Sequence, residues 1–279
     1  MSAYLQPKTV AEAVSALASD PGLRILAGGT DVYPALADKV AQAALLDITG
    51  ISALRGVAHA ADGLRIGALA TWTDVHRADL GPGWRALQQA GREVGSPQIQ
   101  NAATVVGNLC NASPAADGTV ALMALDAEVV VSGPSGERSV PVAAFVTGVR
   151  QVALRSGELV TAVRLPPAAG QSAFLKLGAR RYLVISIAMV AVHVVQDAAG
   201  RITRAAIAVG SCSPVARRLP ALEAALVGAG PGDLSDAVRG DLIEGLAPID
   251  DVRADAGYRT DAVPVLIRRA LAQCLEGLR

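Results

Sequence analysis

The chain has 279 residues, enough for two or three domains and a sizeable core. Its 25 basic residues are matched by 25 acidic ones, which argues against nucleic acid as the main partner, because phosphate-backbone recognition needs a concentrated basic surface. Apolar residues make up 52% and aromatic residues 3%, so the core must be built from Ala, Val, Leu and Ile; apolar runs such as 183–195 are too short and interrupted to span a bilayer, and with no signal-like start the expectation is a cytoplasmic protein.

Residues 4–8 read as a short strand. Thr9 is placed to cap a helix from Val10, and Glu12 three residues on completes a capping box; Val10, Ala13, Val14 and Leu17 share one face. Asp20-Pro21-Gly22 ends that helix, and residues 24–27 read as a buried strand. The turn Ala27-Gly28-Gly29-Thr30-Asp31 follows, with Asp31 as candidate cap of the next helix. Its glycines permit positive φ and close approach of backbone to a ligand, so the turn is either an anion nest or a plain strand-to-helix connection. It matches neither the Rossmann fingerprint nor the P-loop.

Residues 45–48 read as a strand. Asp62-Gly63 signals a hairpin before 64–68. Helices are predicted over 71–79, capped by Thr71 or Thr73, and over 84–94, with Trp72 and Trp84 as packing residues. Residues 98–111 show no clear helical period; they carry Asn101, Thr104, Asn108 and Asn111, whose side chains suit tight turns. Ser113-Pro114-Ala115-Ala116-Asp117 leads into a helix whose N-terminus would face that loop and could hold phosphate without any Lys or Arg. Residues 129–131 read as a buried strand, Gly133-Pro134-Ser135-Gly136 as a hairpin turn, 143–145 as a short helix and 159–165 as a strand. Pro166-Pro167-Ala168-Ala169-Gly170 is the strongest linker signal.

Beyond the linker, 172–177 alternates as a strand, 185–195 fits strand or helix, and Asp197-Ala198-Ala199-Gly200 supports a hairpin into 202–209, so an antiparallel sheet is favoured. Helices are predicted over 222–227, 234–242 and 262–278. Strands followed by helices make a separate α+β domain over 171–279, after a first domain over 1–168 divided near residue 55.

No catalytic set is visible. His59, His76 and His193 are scattered, no metal-binding or nucleophile-elbow motif accompanies them, and Cys110, Cys212 and Cys274 cannot supply a four-thiolate cluster. Cys110 has no neighbouring base and reads as a buried small residue. A chain of this kind suits a bound cofactor that brings its own chemistry. Lys176, after Phe174-Leu175 and before a turn, either lowers the cost of negative charge on a reduced cofactor or is an ordinary exposed lysine.

The Ala27-Gly28-Gly29-Thr30-Asp31 turn, the Ile99-Gln100-Asn101 and Thr104-Val105-Val106-Gly107-Asn108 loop, and the Ser113-Pro114-Ala115-Ala116-Asp117 helix start together resemble the FAD-binding subunit of molybdenum hydroxylases, the xanthine dehydrogenase and carbon monoxide dehydrogenase medium-subunit family. The resemblance covers nearly the whole chain. It implies an α+β fold: a bipartite FAD-binding domain of vanillyl-alcohol-oxidase (PCMH) type, then a C-terminal flavoprotein domain with an antiparallel sheet and helices.

The resemblance further implies that Ala27, Gly28, Gly29, Thr30, Asp31, Thr104, Gly107 and Asn108 hold the FAD pyrophosphate. Leu109 would lie beside the isoalloxazine, Ser113 and Asp117 would contact the phosphate-ribose region, and Lys176 would stand near the flavin and its electron acceptor. Electrons would come from a molybdenum-pterin centre in a large partner subunit through two [2Fe-2S] clusters in a small iron-sulfur subunit, in a dimer of heterotrimers, and would leave to NAD, oxygen or another external acceptor. The competing readings are a self-contained FAD oxidase of related fold and a non-catalytic scaffold. One departure stands out: Val106 occupies the first glycine of the family's Thr-hydrophobic-Gly-Gly-Asn loop. The expectation is an extended backbone at Val106, with only Gly107 taking an unusual conformation.

Overall fold

The computed structural model describes residues 4–275, apart from the side chains of residues 40 and 41. The first unit is a small parallel sheet of β1 (Tyr4–Leu5), β2 (Arg24–Leu26) and β3 (Leu45–Asp47), in the order β1-β3-β2. Helices α1 (Val10–Ser19) and α2 (Val32–Leu36) connect these strands. Thr9 caps α1, accepting the Glu12 N–H at 3.2 Å, but the Glu12 carboxylate takes the N–H of Lys8 rather than that of Thr9, so the box closes one residue early.

The second unit is a five-stranded antiparallel sheet in the order β4-β5-β10-β6-β7, built from β4 (Val57–Ala60), β5 (Gly63–Gly67), β6 (Glu128–Gly133), β7 (Gly136–Pro141) and, last in the chain, β10 (Leu159–Leu165). Between β5 and β6 run α3 (Trp72–Arg77), α4 (Arg85–Glu93), α5 (Pro97–Ala102), α6 (Val105–Cys110) and α7 (Asp117–Ala124). Thr71 caps α3 in a full capping box with Asp74. Between β7 and β10 lie α8 (Val142–Phe145) and the small hairpin β8 (Val146–Gly148) and β9 (Gln151–Val152).

The stretch 98–111, which lacks a helical period, forms α5 and α6. Each is six residues long, too short to display a period, and each is set by its cap. Ser96 accepts the Ile99 N–H with Pro97 at the first helical position, and Thr104 accepts the Gly107 N–H at 2.9 Å. Val106 is therefore helical, not extended, and Gly107 is helical too.

Trp72 sits fully buried between two glycines. A Cβ on Gly91 would stand 2.7 Å from its ring, and one on Gly118 2.6 Å. Gly118→Ala should overpack this site and cost roughly 1–3 kcal/mol, read as a lowered melting temperature.

The third unit is an antiparallel sheet of β11 (Gln171–Leu177), β12 (Ala188–Gln196), β13 (Ile202–Gly210) and β14 (Arg217–Arg218). One face carries Ala188, Val190, Val192 and Val194 into a core with α9 (Pro220–Ala225), α10 (Leu234–Ala237) and α11 (Ala256–Leu275). The other presents Phe174, Met189, Ala191 and Ala208 to the core that α4 and α7 share with the second unit. Burial on both faces makes β12 apolar almost throughout, broken only by His193 before its last residue Gln196, which is why its sequence fits strand and helix alike.

The predicted helix over 234–242 is only the short α10 followed by a 3-10 turn at Gly240–Leu242. Helix α11 begins at Ala256 rather than at residue 262, because Asp255 accepts the Tyr258 N–H at 2.7 Å and caps it; Pro264 lies inside. The predicted end at 276–278 lies outside the described residues.

His193 on β12 bonds the Ala169 carbonyl of the linker at 2.7 Å and is 3% exposed. Burial lowers its pKa, as it does that of His76, where Arg92 adds to the effect. Folding therefore favours the neutral form of both, and the unfolded chain takes up protons first as the pH falls through the ordinary histidine value of 6.5. Stability present above that value should fall away below it. Melting curves between about pH 7.5 and 5.5 should show the loss, with a shallower slope in His193→Gln.

Candidate functional site

The Gly28-Gly29 turn and α6 face each other across a cleft between the first and second units. The cleft encloses about 270 Å³. Ala27, Gly28, Gly29, Thr30 and Asp31 line one wall; Thr104, Val106, Gly107, Asn108 and Asn111 line the other; Ile25, Ile48, Leu154, Leu159 and Val160 close it with apolar surface. The two loops that the sequence singled out are thus brought together.

Their contact is tight. A Cβ on Gly28 would stand 1.8 Å from the Ala102 carbonyl oxygen, so glycine there is demanded by backbone packing against the end of α5. Gly29 has φ +73°, in the region that favours glycine. No N–H from Gly28 through Val32, nor that of Val106, reaches a backbone acceptor among the described residues. Asp31 does not cap α2; its carboxylate accepts the Asn111 side-chain amide at 2.7 Å. Thr104 uses its oxygen to cap α6, leaving its hydroxyl hydrogen to donate elsewhere.

The walls carry one charged residue, Asp31, and no lysine or arginine. Their donors are backbone N–H groups and hydroxyls, a set that suits phosphate oxygens. Cys110 also faces the cleft, but burial pushes its thiol up to about 12, so it offers no thiolate for nucleophilic chemistry.

Asn108 is shared with a second, more open chamber of about 380 Å³, lined also by Glu93, Val94, Gly95, Ser113, Ala115, Asp117, Lys176, Leu183, Val184 and Ile185. Its side-chain oxygen is buried without a partner. That oxygen is turned toward the start of α7, where a Cβ on Gly118 would stand 2.7 Å from it, and not toward either chamber.

Lys176 is not an exposed lysine. Its ammonium donates to Asp117 at 2.8 Å and to the Glu93 carbonyl at 3.3 Å, with both side chains of the ion pair 6% exposed. Ser186 donates to the other Asp117 oxygen at 2.8 Å. Burial pushes the Asp117 carboxyl up, against the opposing pull of Lys176 and Ser186. Asp117, at the first position of the α7 start expected to face phosphate, thus pairs with Lys176 and Ser186 and ties the second unit to β11 and to the loop before β12. Leu109, expected beside the isoalloxazine, is fully buried on the core face of α6 and lines neither chamber. Ser113 lines the second chamber, and its hydroxyl oxygen accepts the Ala115 N–H at 3.3 Å.

The apolar wall residues and Ser186 were not singled out from sequence. They come from distant strands and loops with no local motif, and only the fold assembles them. Asn111 was noted as a turn residue; its bond to Asp31 spans eighty positions and has no sequence signal.

A cleft of free backbone donors between two subdomains, followed by a sheet-and-helix domain docked on their helices, defines a nucleotide-cofactor-binding protein of α+β type. The chain belongs to the family described as the FAD binding domain in molybdopterin dehydrogenase, whose model matches residues 1–168, and it continues into a CO dehydrogenase flavoprotein C-terminal domain over 173–274. It is 30% identical over 284 residues to the xanthine dehydrogenase FAD-binding subunit of Escherichia coli O157:H7, covering 98% of this chain and 96% of that one. It is 34% identical over 235 residues to the nicotinate dehydrogenase FAD-subunit of Eubacterium barkeri, covering 81% and 79%. Among solved structures, CO dehydrogenase from Oligotropha carboxidovorans superposes with a TM-score of 0.91 at 28% identity over 100% of this chain and 99% of that one. The architecture is accordingly the two-domain PCMH-type FAD-binding fold with its flavoprotein C-terminal domain.

Proposed function

We propose that this chain is the FAD-carrying electron-transfer subunit of a molybdenum hydroxylase of the xanthine dehydrogenase and carbon monoxide dehydrogenase type. The observation that carries this reading is the row of unengaged N–H groups at Gly28 through Val32, set opposite α6 across a cleft without cationic side chains. FAD, when bound, supplies one- and two-electron transfer. The protein binds and orients it. The Gly28-Gly29 turn, Thr30 and the N–H of Val106 hold the pyrophosphate, with the Thr104 hydroxyl as a further donor. Asn108 lines both chambers and joins their walls. The apolar walls exclude water.

Lys176 acts within the Asp117–Lys176–Ser186 group, fixing the wall of the second chamber. Gly107 serves as the helical residue that closes the Thr104 cap, since a Cβ there would stand 2.7 Å from the Thr104 oxygen. In the assembled enzyme, [2Fe-2S] clusters of a small partner subunit and a molybdenum-pterin centre of a large one would supply the electrons, and NAD, oxygen or another acceptor would take them up. The assembly is a dimer of heterotrimers.

The test is affinity purification of the tagged full chain from cells producing its candidate partner subunits. Iron, molybdenum and flavin should elute together, with the flavin bleached on addition of the complex's organic substrate under anaerobic conditions. A chain that elutes alone and oxidises an organic substrate by itself overturns the reading in favour of a self-contained oxidase.

A further inference from the structure

The mouth of the cleft is spanned by three side chains from three separate elements. Arg150, in the turn between β8 and β9, donates through Nη1 to the Asn111 side-chain oxygen and, at 3.2 Å, to the Asn111 backbone carbonyl. Asn111, at the end of α6, donates its side-chain amide to Asp31 at 2.7 Å. Asp31 directly follows the Gly28-Gly29-Thr30 turn. The series therefore crosses from the second unit to the first.

An asparagine amide alone can face either way round. A guanidinium can only donate, so it demands the Asn111 oxygen and thereby aims the Asn111 nitrogen at Asp31. The backbone reinforces the contact at some strain. Arg150 has φ +59° and Ala112 has φ +46°, both in the region that side-chain-bearing residues avoid, and the Arg150 N–H donates to the Ala112 carbonyl at 2.9 Å. Two such residues facing each other beside a ligand cleft are held there by their surroundings, a pattern common at ligand clamps. The chemistry also calls for a cation here. Asp31 is the only charged wall residue, and an unbalanced carboxylate would repel a diphosphate.

We infer that Arg150 is a positioning residue for the cofactor, acting through Asn111 on Asp31 as a clasp that holds the Gly28-Gly29 turn against α6 and slows release of the bound dinucleotide. This rests on the FAD reading of the cleft. The clasp sits at the exposed mouth and touches neither the orphaned Asn108 oxygen nor the Lys176 group, so it governs residence rather than redox chemistry.

The experiment measures FAD release from the full-length chain by the recovery of flavin fluorescence, in wild type, Arg150→Gly, Arg150→Lys, Asn111→Ala and the double variant Arg150→Gly/Asn111→Ala. Arg150→Gly removes the guanidinium while suiting the positive φ, so the apo melting temperature should hold. Release should be about tenfold faster, as expected for loss of a charge-assisted contact. Arg150→Lys should restore part of the residence time. In the Asn111→Ala background, Arg150→Gly should add nothing further. Wild-type release rates in Arg150→Gly, or full additivity with Asn111→Ala, overturn the clasp while leaving FAD binding intact. A wild-type chain that takes up no FAD overturns the flavin reading itself, and the clasp with it.

Discussion

Lys176→Ala should unfold at a markedly lower temperature than the wild type. The substitution strands the Asp117 carboxylate, 5% exposed at the start of α7, with only Ser186 as a side-chain partner. Breaking a buried pair by removing one member costs roughly 3–5 kcal/mol, because the remaining charge stays desolvated. The deficit should depend on pH with a definite sign. Burial already raises the Asp117 carboxyl, and without the lysine its folded-state pKa rises further above the unfolded value. The penalty is therefore largest above that raised pKa and shrinks as the pH falls through it, when the group takes up a proton. Lys176→Met/Asp117→Asn should recover most of the loss, since the amide still accepts from Ser186 and no buried charge remains. Melting curves of the single and double variants at two pH values check this. A single variant as stable as wild type at neutral pH would show that the pair is not the strut described. A lysine buried in this way cannot be read from sequence as a freely available cation, and slowed electron exit in Lys176→Ala has to be measured on folded protein.

Gly29→Val should fold and yet lose most of its affinity for FAD. At φ +73° a β-branched residue is strained by about 1–3 kcal/mol, and its Cβ would stand 2.4 Å from the Tyr33 ring. Tyr33 is 48% exposed and can swing aside, so the ring is the lesser obstacle. The backbone escapes its strain only by rotating the peptides around Gly29, which turns aside the N–H groups that line the cleft. Affinity should drop at least about tenfold, each factor of ten corresponding to about 1.4 kcal/mol. Gly28→Ala is the contrast: its Cβ strikes the Ala102 backbone, which cannot swing aside, so both stability and FAD uptake should suffer. Fluorescence titration with FAD, paired with thermal melts of the apo chain, separates the two behaviours. Undiminished uptake in Gly29→Val would remove the turn from the site.

Most of the architecture was legible because the apolar periods and turn residues agree. β10 occupies 159–165 as read, and the Asp62-Gly63 and Asp197-Gly200 hairpins form where their turn residues place them. The convergence of the Gly28-Gly29 turn with the Thr104–Asn108 segment was also legible, since both are runs of small and short polar residues set beside turns.

What escaped was decided by caps and long-range partners. Ser96 and Thr104 turn an aperiodic loop into two short helices, and that overturns the extended backbone expected at Val106. Asp255 moves the start of α11. Asp117, by its position a candidate phosphate neighbour, is claimed by Lys176 fifty-nine positions away, and no local pattern announces such a partner.

The proposed FAD site is the cleft between the Gly28-Gly29 turn and α6. It is tested most directly by adding FAD to the purified full-length chain, removing free ligand by gel filtration and recording the visible absorption spectrum. A retained flavin band at about one FAD per chain is expected, absent in Gly29→Val. A wild-type chain that emerges colourless from the column, with a melting temperature unmoved by excess FAD, would contradict it.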